Sequence, residues 1–267
     1  MNNNILKKSF SKKPIHSLAI AAHFDDVEFM AYSAISECIQ SEDKGFAAVV
    51  LTNGGGSPRG GKYADITDAD MIKLRVKEQF KAAEIGEYSE MICLMQSSQN
   101  VKSLEPEISS NLAKIILELR PKILYCHNPF DKHPTHIASC KLVVDTLRSV
   151  RYNVPDLKVV GCEVWRGLDW VADNDKIGMD TSYRHDLARQ LFDVFDSQIT
   201  GGKNYGNATI GRYVSNATFF QSHSIDTSNS LSYGIDMTPL LKDENLTLKE
   251  FATQHLDNFR QSVLDGL

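Results

Sequence analysis

SLAIAAHFDDVE, residues Ser17 to Glu28, is the stretch on which the fold turns. Its first half, Leu18 to Ala22, is a continuous apolar run of the kind that makes a strand buried on both faces. The run breaks abruptly into His23, Phe24, Asp25 and Asp26, so the strand carries one imidazole and two carboxylates to its own C-terminal tip. That is a poor place for charge unless the charge is used. Far downstream a second apolar run, Ile123 to Cys126, leads into His127-Asn128-Pro129-Phe130-Asp131-Lys132-His133-Pro134-Thr135-His136. Two strand tips bearing hard and borderline ligands point to one metal site.

Strands and helices alternate around these tips. Val27 to Gln40 has helical spacing at Phe29, Ala31, Ile35 and Ile39, and Ala47 to Asn53 reads as a strand running into the loop Gly54-Gly55-Gly56-Ser57-Pro58-Arg59-Gly60-Gly61. Asp68 or Asp70 is positioned to cap a helix from Met71 to Ile85 that stops at Gly86. Met91 to Met95 is a short strand, and Glu107 to Arg120 a helix ended by Pro121. His136 opens a helix to about Val150. This is a βαβαβαβ pattern, which predicts an α/β fold with a mainly parallel sheet covered on both faces and ligands at the carboxyl ends of its strands. The second half is less regular. It offers a strand at Val159 to Trp165, a helix at Tyr183 to Ile199, a glycine-rich then amphipathic stretch at Gly201 to Phe220, and a polar loop at Ser222 to Asn229. A last helix, Thr247 to Leu264, is expected to turn Leu248, Phe251, His255, Phe259 and Val263 inward. No repeat or linker interrupts the chain, so residues 1–267 read as one domain, with a core at 1–150 and a C-terminal elaboration at 151–267.

Composition suits a globular enzyme. The chain has 267 residues, 42% hydrophobic and 24% charged, enough for a substantial core. A net charge of -5 and a pI near 5.9 argue against a general nucleic-acid or anionic-membrane surface. The lysines of the first residues are followed by no apolar signal region, and no run is long enough to cross a bilayer. The cytoplasm is therefore the expected compartment. Cys38, Cys93, Cys126, Cys140 and Cys162 are odd in number, widely spaced and set in apolar segments, as buried reduced thiols would be.

A catalytic zinc takes three protein ligands and keeps a position for water, whose pKa falls toward about 7 and whose proton an unligated carboxylate can accept. Adjacent residues of an extended chain point in opposite directions, so Asp25 and Asp26 can divide the roles of ligand and base. Spacing does not say which takes which. His133 and His136 can likewise be one ligand and one imidazolium that steadies an oxyanion or protonates a leaving amine.

AHFDDVEF around His23 and D-x-H-P-T-H at Asp131 to His136 resemble the two signature motifs of the LmbE-like, or PIG-L, zinc-dependent N-deacetylases. Leu74-Arg75 with Glu78, Cys162-Glu163-Val164-Trp165 and Ser197-Gln198 resemble further family positions more weakly. The resemblance implies a Rossmann-like three-layer sandwich and removal of an N-acetyl group from an N-acetylglucosamine-type sugar or glycoconjugate. It implies His23, Asp26 and His136 as ligands of Zn2+, Asp25 as general base, His133 as oxyanion stabiliser or acid, and Arg75 as a substrate-binding residue. The ligand set accepts other divalent ions too. The rival readings are a non-catalytic sugar-binding relative and a metal hydrolase of another amide or ester. The sequence names neither the sugar nor the oligomeric state, and a homo-oligomer is allowed.

Two departures from the family pattern stand out. Phe24 replaces a proline, and Thr135 replaces an aspartate whose charge would help keep the neighbouring imidazole protonated. Asp131 is the candidate to take over that task from the other side of His133. The loop Gly54 to Gly61 lacks the lysine and spacing of a P-loop and reads as a cover over substrate. His127 reads as a structural strand-end residue. Tyr205, Arg212, Asn216, His223 and Asp226 lie in a segment that resembles the C-terminal part of longer family members, which implies a cover over the pocket; a surface role explains them almost as well.

Overall fold

The computed structural model describes residues 5–267. In chain order the elements are β1 (Leu6–Lys8), β2 (Ile15–Ala21), α1 (Asp26–Gln40), β3 (Gly45–Thr52), α2 (Asp68–Ile85), β4 (Glu90–Gln96), α3 (Ser98–Lys102), α4 (Pro106–Leu119), β5 (Ile123–His127) and α5 (Pro134–Val150). The second half adds β6 (Lys158–Cys162), β7 (Lys176–Asp180), α6 (His185–Asp193), α7 (Asp196–Ile199), α8 (Tyr205–Phe219), β8 (Leu231–Asp236), α9 (Thr238–Lys242) and α10 (Leu248–Asp265). No helix among the described residues is long and apolar enough to cross a membrane.

The strands form one mixed sheet in the order β1-β4-β3-β2-β5-β6-β8-β7. Its centre is parallel, with β2 paired to both β3 and β5, β3 to β4, and β5 to β6. Its margins are antiparallel, at β1 against β4 and at β8 against both β6 and β7. The β1 edge and the β7–β8 pair have no counterpart in the sequence pattern. Leu6–Lys8 is exposed throughout and has no burial pattern to read, while β7 and β8 pair across some fifty intervening residues.

Alternation along the central strands builds two cores. Leu18, Ile20, Val49 and Leu124 face one side, with Leu112 and Ile116 of α4 and Val143 and Leu147 of α5. Ala19, Ala21, Ala48 and Val50 face the other, with Val27 and Met30 of α1, Ala82 and Ala83 of α2, and Phe192 of α6. The small alanines on that second face let α1 lie close to the sheet.

Three local expectations change. The cap of α2 is Thr67, whose side chain accepts the Asp70 N–H. The predicted helix at Tyr183 to Ile199 is broken into α6 and α7 at Phe195, which is wholly buried and lies with its ring 5.5 Å from the Arg75 guanidinium. The break also turns Ser197 toward Glu78. On α10 only Phe251 of the five expected residues is buried; His255 packs on Phe130 and Phe259 on Trp170, yet Phe259 and Val263 stay 37% and 45% exposed.

Candidate metal centre and active-site cavity

β2 lies between β3, reached by one crossover, and β5, reached by another. The strand order reverses direction at this pair, leaving a crevice outside the carboxyl ends of β2 and β5 where ligands collect in such sheets. Both sequence clusters open into it. His23, Asp25, Asp26, His133 and Arg75 line a cavity of about 470 Å³ together with residues of α8.

Three donor atoms meet at the crevice. His23 Nδ1 is 3.1 Å from Asp26 Oδ2 and 3.0 Å from His136 Nε2, and His136 Nε2 is 3.1 Å from Asp26 Oδ2. The opposite nitrogen of His136 faces Asp131 Oδ2 at 3.2 Å. In the neutral imidazole that pair fixes the proton on Nδ1 and leaves a lone pair at Nε2 aimed at the other two donors, an arrangement suited to a cation. Burial disfavours charge on His136, but Asp26 and Asp131 outweigh it and raise its pKa to about 9. A divalent ion held by the three donors would take the place of that proton. Asp26 is held well below the usual carboxylate range against the effect of burial, by His136, His127 and His23. It also accepts the His23 N–H at 2.8 Å, closing the turn at the start of α1.

His127 forms a second candidate group with Asp26 and His136, beside a group of His23, His133 and His136. Its Nε2 lone pair, however, accepts the Ala22 N–H at 2.9 Å, which ties the tips of β5 and β2. Burial depresses its pKa to about 4, so it is neutral and its other nitrogen carries the proton. That leaves no lone pair for a metal, in keeping with a structural residue at a strand end.

Asp25 occupies the opposite side of the turn. Its φ of 87° is a left-handed conformation that a residue with a Cβ adopts only when its surroundings impose it. Those surroundings come from α2. Gln79 Oε1 accepts the Asp25 N–H at 3.2 Å, and Gln79 Nε2 donates at 2.8 Å to Glu28, which Tyr88 also bonds at 2.7 Å. Arg75 donates to the Phe24 carbonyl, and to Asp25 Oδ2 at 3.0 Å. Burial pushes the Asp25 carboxyl up to about 6, with Arg75 opposing and Asp26 adding to the rise. Sequence reasoning misses Gln79, because a polar residue one step from the Arg75 and Glu78 pair carries no signal of its own.

Arg75 lines the cavity but is only 2% exposed. Besides Asp25 and Phe24, its guanidinium donates to Glu78 at 3.2 Å, and Glu78 in turn accepts the N–H and hydroxyl of Ser197 at 2.8 and 2.7 Å. Asp25, Phe24 and Glu78 thus fix the guanidinium that is expected to bind substrate. Phe24, the residue in place of proline, is wholly buried with its ring 5.8 Å from the same guanidinium. Gly54 is required here: its φ is +74°, and a Cβ would fall 2.9 Å from the Phe24 ring.

Asp131 makes its side-chain bond to His136 and acts on the His133 ring only through its charge, which is the weaker influence there. It bonds His136 Nδ1, the His133 N–H at 3.0 Å and the Trp165 N–H at 3.1 Å, and His136 with these donors holds its pKa at about 2 although burial opposes it. The His133 ring caps α5, its Nδ1 accepting the Thr135 N–H at 3.3 Å. The proton of the neutral ring then sits on Nε2. Burial, His23 and His136 depress its pKa to about 4, so the arrangement presents a neutral N–H donor and not the expected imidazolium.

Of the remaining residues, Gly54, Gly56, Ser57 and Pro58 wall the cavity, as do Trp165, Gln198, Tyr205 and Arg212. Asn216 instead bonds the buried Glu163 at 2.6 Å, and His223 and Asp226 lie exposed in the following loop.

Residues 18–147 match the family model PIG-L, described as GlcNAc-PI de-N-acetylase. Among solved structures, N,N'-diacetylchitobiose deacetylase from Pyrococcus horikoshii superposes with a TM-score of 0.66 at 14% identity, covering 88% of each chain. The zinc-inhibited form of a teicoplanin deacetylase gives 0.61 at 13%, covering 83% of this chain and 97% of its own. The 4-carboxy-2-hydroxymuconate hydratase of Pseudomonas putida gives 0.59 at 16%, covering 83% and 96%. At these identities the likeness is one of fold, and the fold hosts more than one reaction.

Proposed function

We propose that the chain is a zinc-dependent hydrolase that removes the N-acetyl group from an N-acetylglucosamine-type sugar or glycoconjugate. The observation that carries this reading is the triangle of His23 Nδ1, Asp26 Oδ2 and His136 Nε2, with edges of 3.0–3.1 Å, beside an unligated Asp25 on the same cavity. The family of residues 18–147 and the deacetylases among its structural neighbours support it. His23, Asp26 and His136 would hold the ion. Zinc, or another divalent metal at this site, supplies Lewis acidity and a water of lowered pKa.

The chain's own residues do the rest. Asp25, with a carboxyl near 6, is mostly ionised at neutral pH and accepts a proton from the attacking water. The water oxygen bonds the acetyl carbon, and His133 Nε2–H donates to the oxygen that gains charge. When the carbon–nitrogen bond breaks, Asp25 returns its proton to the amine, leaving acetate and an amino sugar. Arg75, held by Glu78, fixes the Asp25 carboxylate, and Asp131 orients His136. The cytoplasm belongs to the same proposal, supported by five buried free cysteines, as do the Rossmann-like three-layer core and its C-terminal elaboration.

The hydratase neighbour makes a direct test necessary. A panel of N-acetylated sugars is assayed with the wild type, Asp25→Asn and Asp26→Asn, with metal content measured for each. Asp25→Asn should keep metal near stoichiometric and lose on the order of 10²-fold or more in turnover; Asp26→Asn should lose metal and regain part of its activity with added zinc. Zinc rescue of the Asp25 variant alone would exchange the two roles. Turnover indifferent to both substitutions would leave the sugar-binding relative, or a hydrolase of another amide or ester, as the better reading.

A further inference from the structure

The connection from β3 to α2, residues 53–67, is a preformed unit. Arg59 sits at its centre and donates to the carbonyls of Gly55, at 3.1 Å, and Ile66, at 2.9 Å, as well as to Asp68. Both ends of the loop are thereby drawn to one guanidinium. Its near end, with Gly54, Gly56, Ser57 and Pro58, walls the main cavity, and farther out it forms a single 3-10 turn, Gly61–Tyr63.

That turn leans on α7. Tyr63 donates its hydroxyl to Asp196 Oδ2 at 2.5 Å, and Lys62 Nζ lies 2.6 Å from the same oxygen. The other carboxylate oxygen of Asp196 accepts the Thr200 hydroxyl at 2.6 Å, and Lys62, Thr200 and Tyr63 hold the carboxyl ionised, at about 2. The two backbones also approach closely, since a Cβ at Gly60 would fall 3.0 Å from the Gly201 carbonyl oxygen.

Helix α7 carries the constraint inward. With 4 residues it is too short to be stable alone, so it sits where its neighbours put it. On the outer side those neighbours are Tyr63 and Lys62. On the inner side Ser197, next in the chain to Asp196, gives its N–H and hydroxyl to Glu78. Glu78 in turn holds Arg75, and Arg75 holds Asp25. Tyr63 and Asp196 are half-buried, whereas Ser197, Glu78, Arg75 and Asp25 are buried. A hydrogen-bonded chain thus runs from the outer part of the loop to a carboxylate on the floor of the cavity.

We infer that Tyr63 and Asp196 are positioning residues for Asp25: their bond fastens the loop after β3 to α7, and α7, through Ser197 and Glu78, sets Arg75 and with it the carboxylate. This rests on the deacetylase reading above and adds to it the requirement that the loop be fastened for the base to stand in place. A loop that only covered the cavity would retain substrate. A loop fastened to α7 also decides how fast the bound substrate reacts.

The test uses the metal-loaded protein with methyl N-acetylglucosaminide. Tyr63→Phe removes one oxygen from a half-buried side chain. It should lower kcat on the order of tenfold, part of the roughly 10²-fold that an ångström of misplacement costs, with KM little changed and metal content unaltered. Asp196→Ala should also lower kcat, and the double variant should be no slower than Asp196→Ala, because both substitutions break one bond. Asp196→Asn keeps an oxygen for the Tyr63 hydroxyl and should recover most of kcat. A rise in KM at unchanged kcat in Tyr63→Phe, or additive losses in the double variant, overturns the inference. Hydrogen exchange decides it without turnover. In Tyr63→Phe the amides of residues 195–200 should lose protection together with those of 54–66, since the bond from the Ser197 N–H to Glu78 depends on where α7 sits. Loss confined to 54–66 overturns the inference. If the wild type does not deacetylate the probe, the exchange result stands by itself: protection lost at 195–200 upholds the link from the loop to Glu78 even though the deacetylase reading has failed, and unchanged protection there rejects it.

Discussion

Gln79→Leu isolates the device that holds Asp25. The substitution keeps the side chain's bulk and removes two hydrogen bonds. Asp25 N–H loses its acceptor in a place without solvent, since Gln79 is wholly buried and Asp25 8% exposed; an orphaned buried donor costs about 1–3 kcal/mol. The Gln79–Glu28 bond adds about 0.5–1.5 kcal/mol, while Glu28 Oε1 keeps Tyr88 as a donor. The loss should be about 1.5–4.5 kcal/mol, or roughly 3–18 °C in Tm for a domain of this size. With the left-handed turn no longer imposed, the Asp25 carboxylate is free to shift, and misplacement by an ångström is worth about 10²-fold in rate. Urea unfolding, metal analysis and steady-state kinetics on one preparation read all three effects. The expected result is near-stoichiometric metal, because His23, Asp26 and His136 do not touch Gln79, with kcat lowered tenfold to a hundredfold and KM little changed. Gln79→Glu, which keeps an acceptor for the Asp25 N–H, should retain more of kcat. A folded Gln79→Leu protein with unaltered kcat would refute the reasoning, and so would a loss of metal in step with activity.

The remaining predictions concern the metal and Glu163. His136→Ala should lose most of its metal by elemental analysis while far-UV circular dichroism still shows a folded α/β protein, since α5 keeps its other buried contacts; full occupancy would remove His136 from the ligand set. Burial raises the pKa of Glu163, so the folded state binds this proton more tightly than the unfolded one, and the group's contribution to stability falls as pH rises above the ordinary carboxylate range. The stability advantage of wild type over Glu163→Gln, followed by urea unfolding from pH 4.5 to 7, should therefore shrink with pH. A constant or widening gap contradicts it.

What could be read in the sequence was what is local or periodic. The apolar runs at Leu18 and Ile123 mark central strands because both faces of those strands are buried. Their abrupt ends mark the crevice, because charge at the tip of a buried strand is costly unless a ligand or a partner compensates it. His23, Asp25, Asp26 and His133 line one cavity for that reason, with His136 buried behind His23 and Asp26. What stayed hidden depends on partners remote in sequence. Arg75 reads as a substrate-binding residue set beside Glu78, and its second carboxylate partner, Asp25, is fifty residues away in the chain. Asp131 stands two residues from His133 and five from His136, and it is the more distant ring that it bonds, because the first turn of α5 swings His136 back over the loop. The break at Phe195 has no sequence signal, since the guanidinium that its ring packs on comes from a helix more than a hundred residues earlier. The exposed half of α10 shows the converse: helical periodicity reveals an apolar face but not whether anything covers it.

The two adjacent aspartates acquire different chemistry from a single backbone rotation. With Asp25 left-handed, its carboxylate turns toward α2, where one guanidinium offsets only part of the penalty of burial, and the group sits near 6. Asp26, at the first position of α1, folds back toward three imidazoles and its own turn's N–H and is held ionised. Environments that push two neighbouring carboxyls apart are how one site supplies both a base and a permanent anion. The supports are also separate: α2 holds Asp25, the proposed base, and the β5–α5 connection, through Asp131, holds His136, the proposed third ligand. Damage to one side therefore need not reach the other, so loss of the base should leave the ion in place, whereas loss of Asp26 removes a corner of the donor triangle itself.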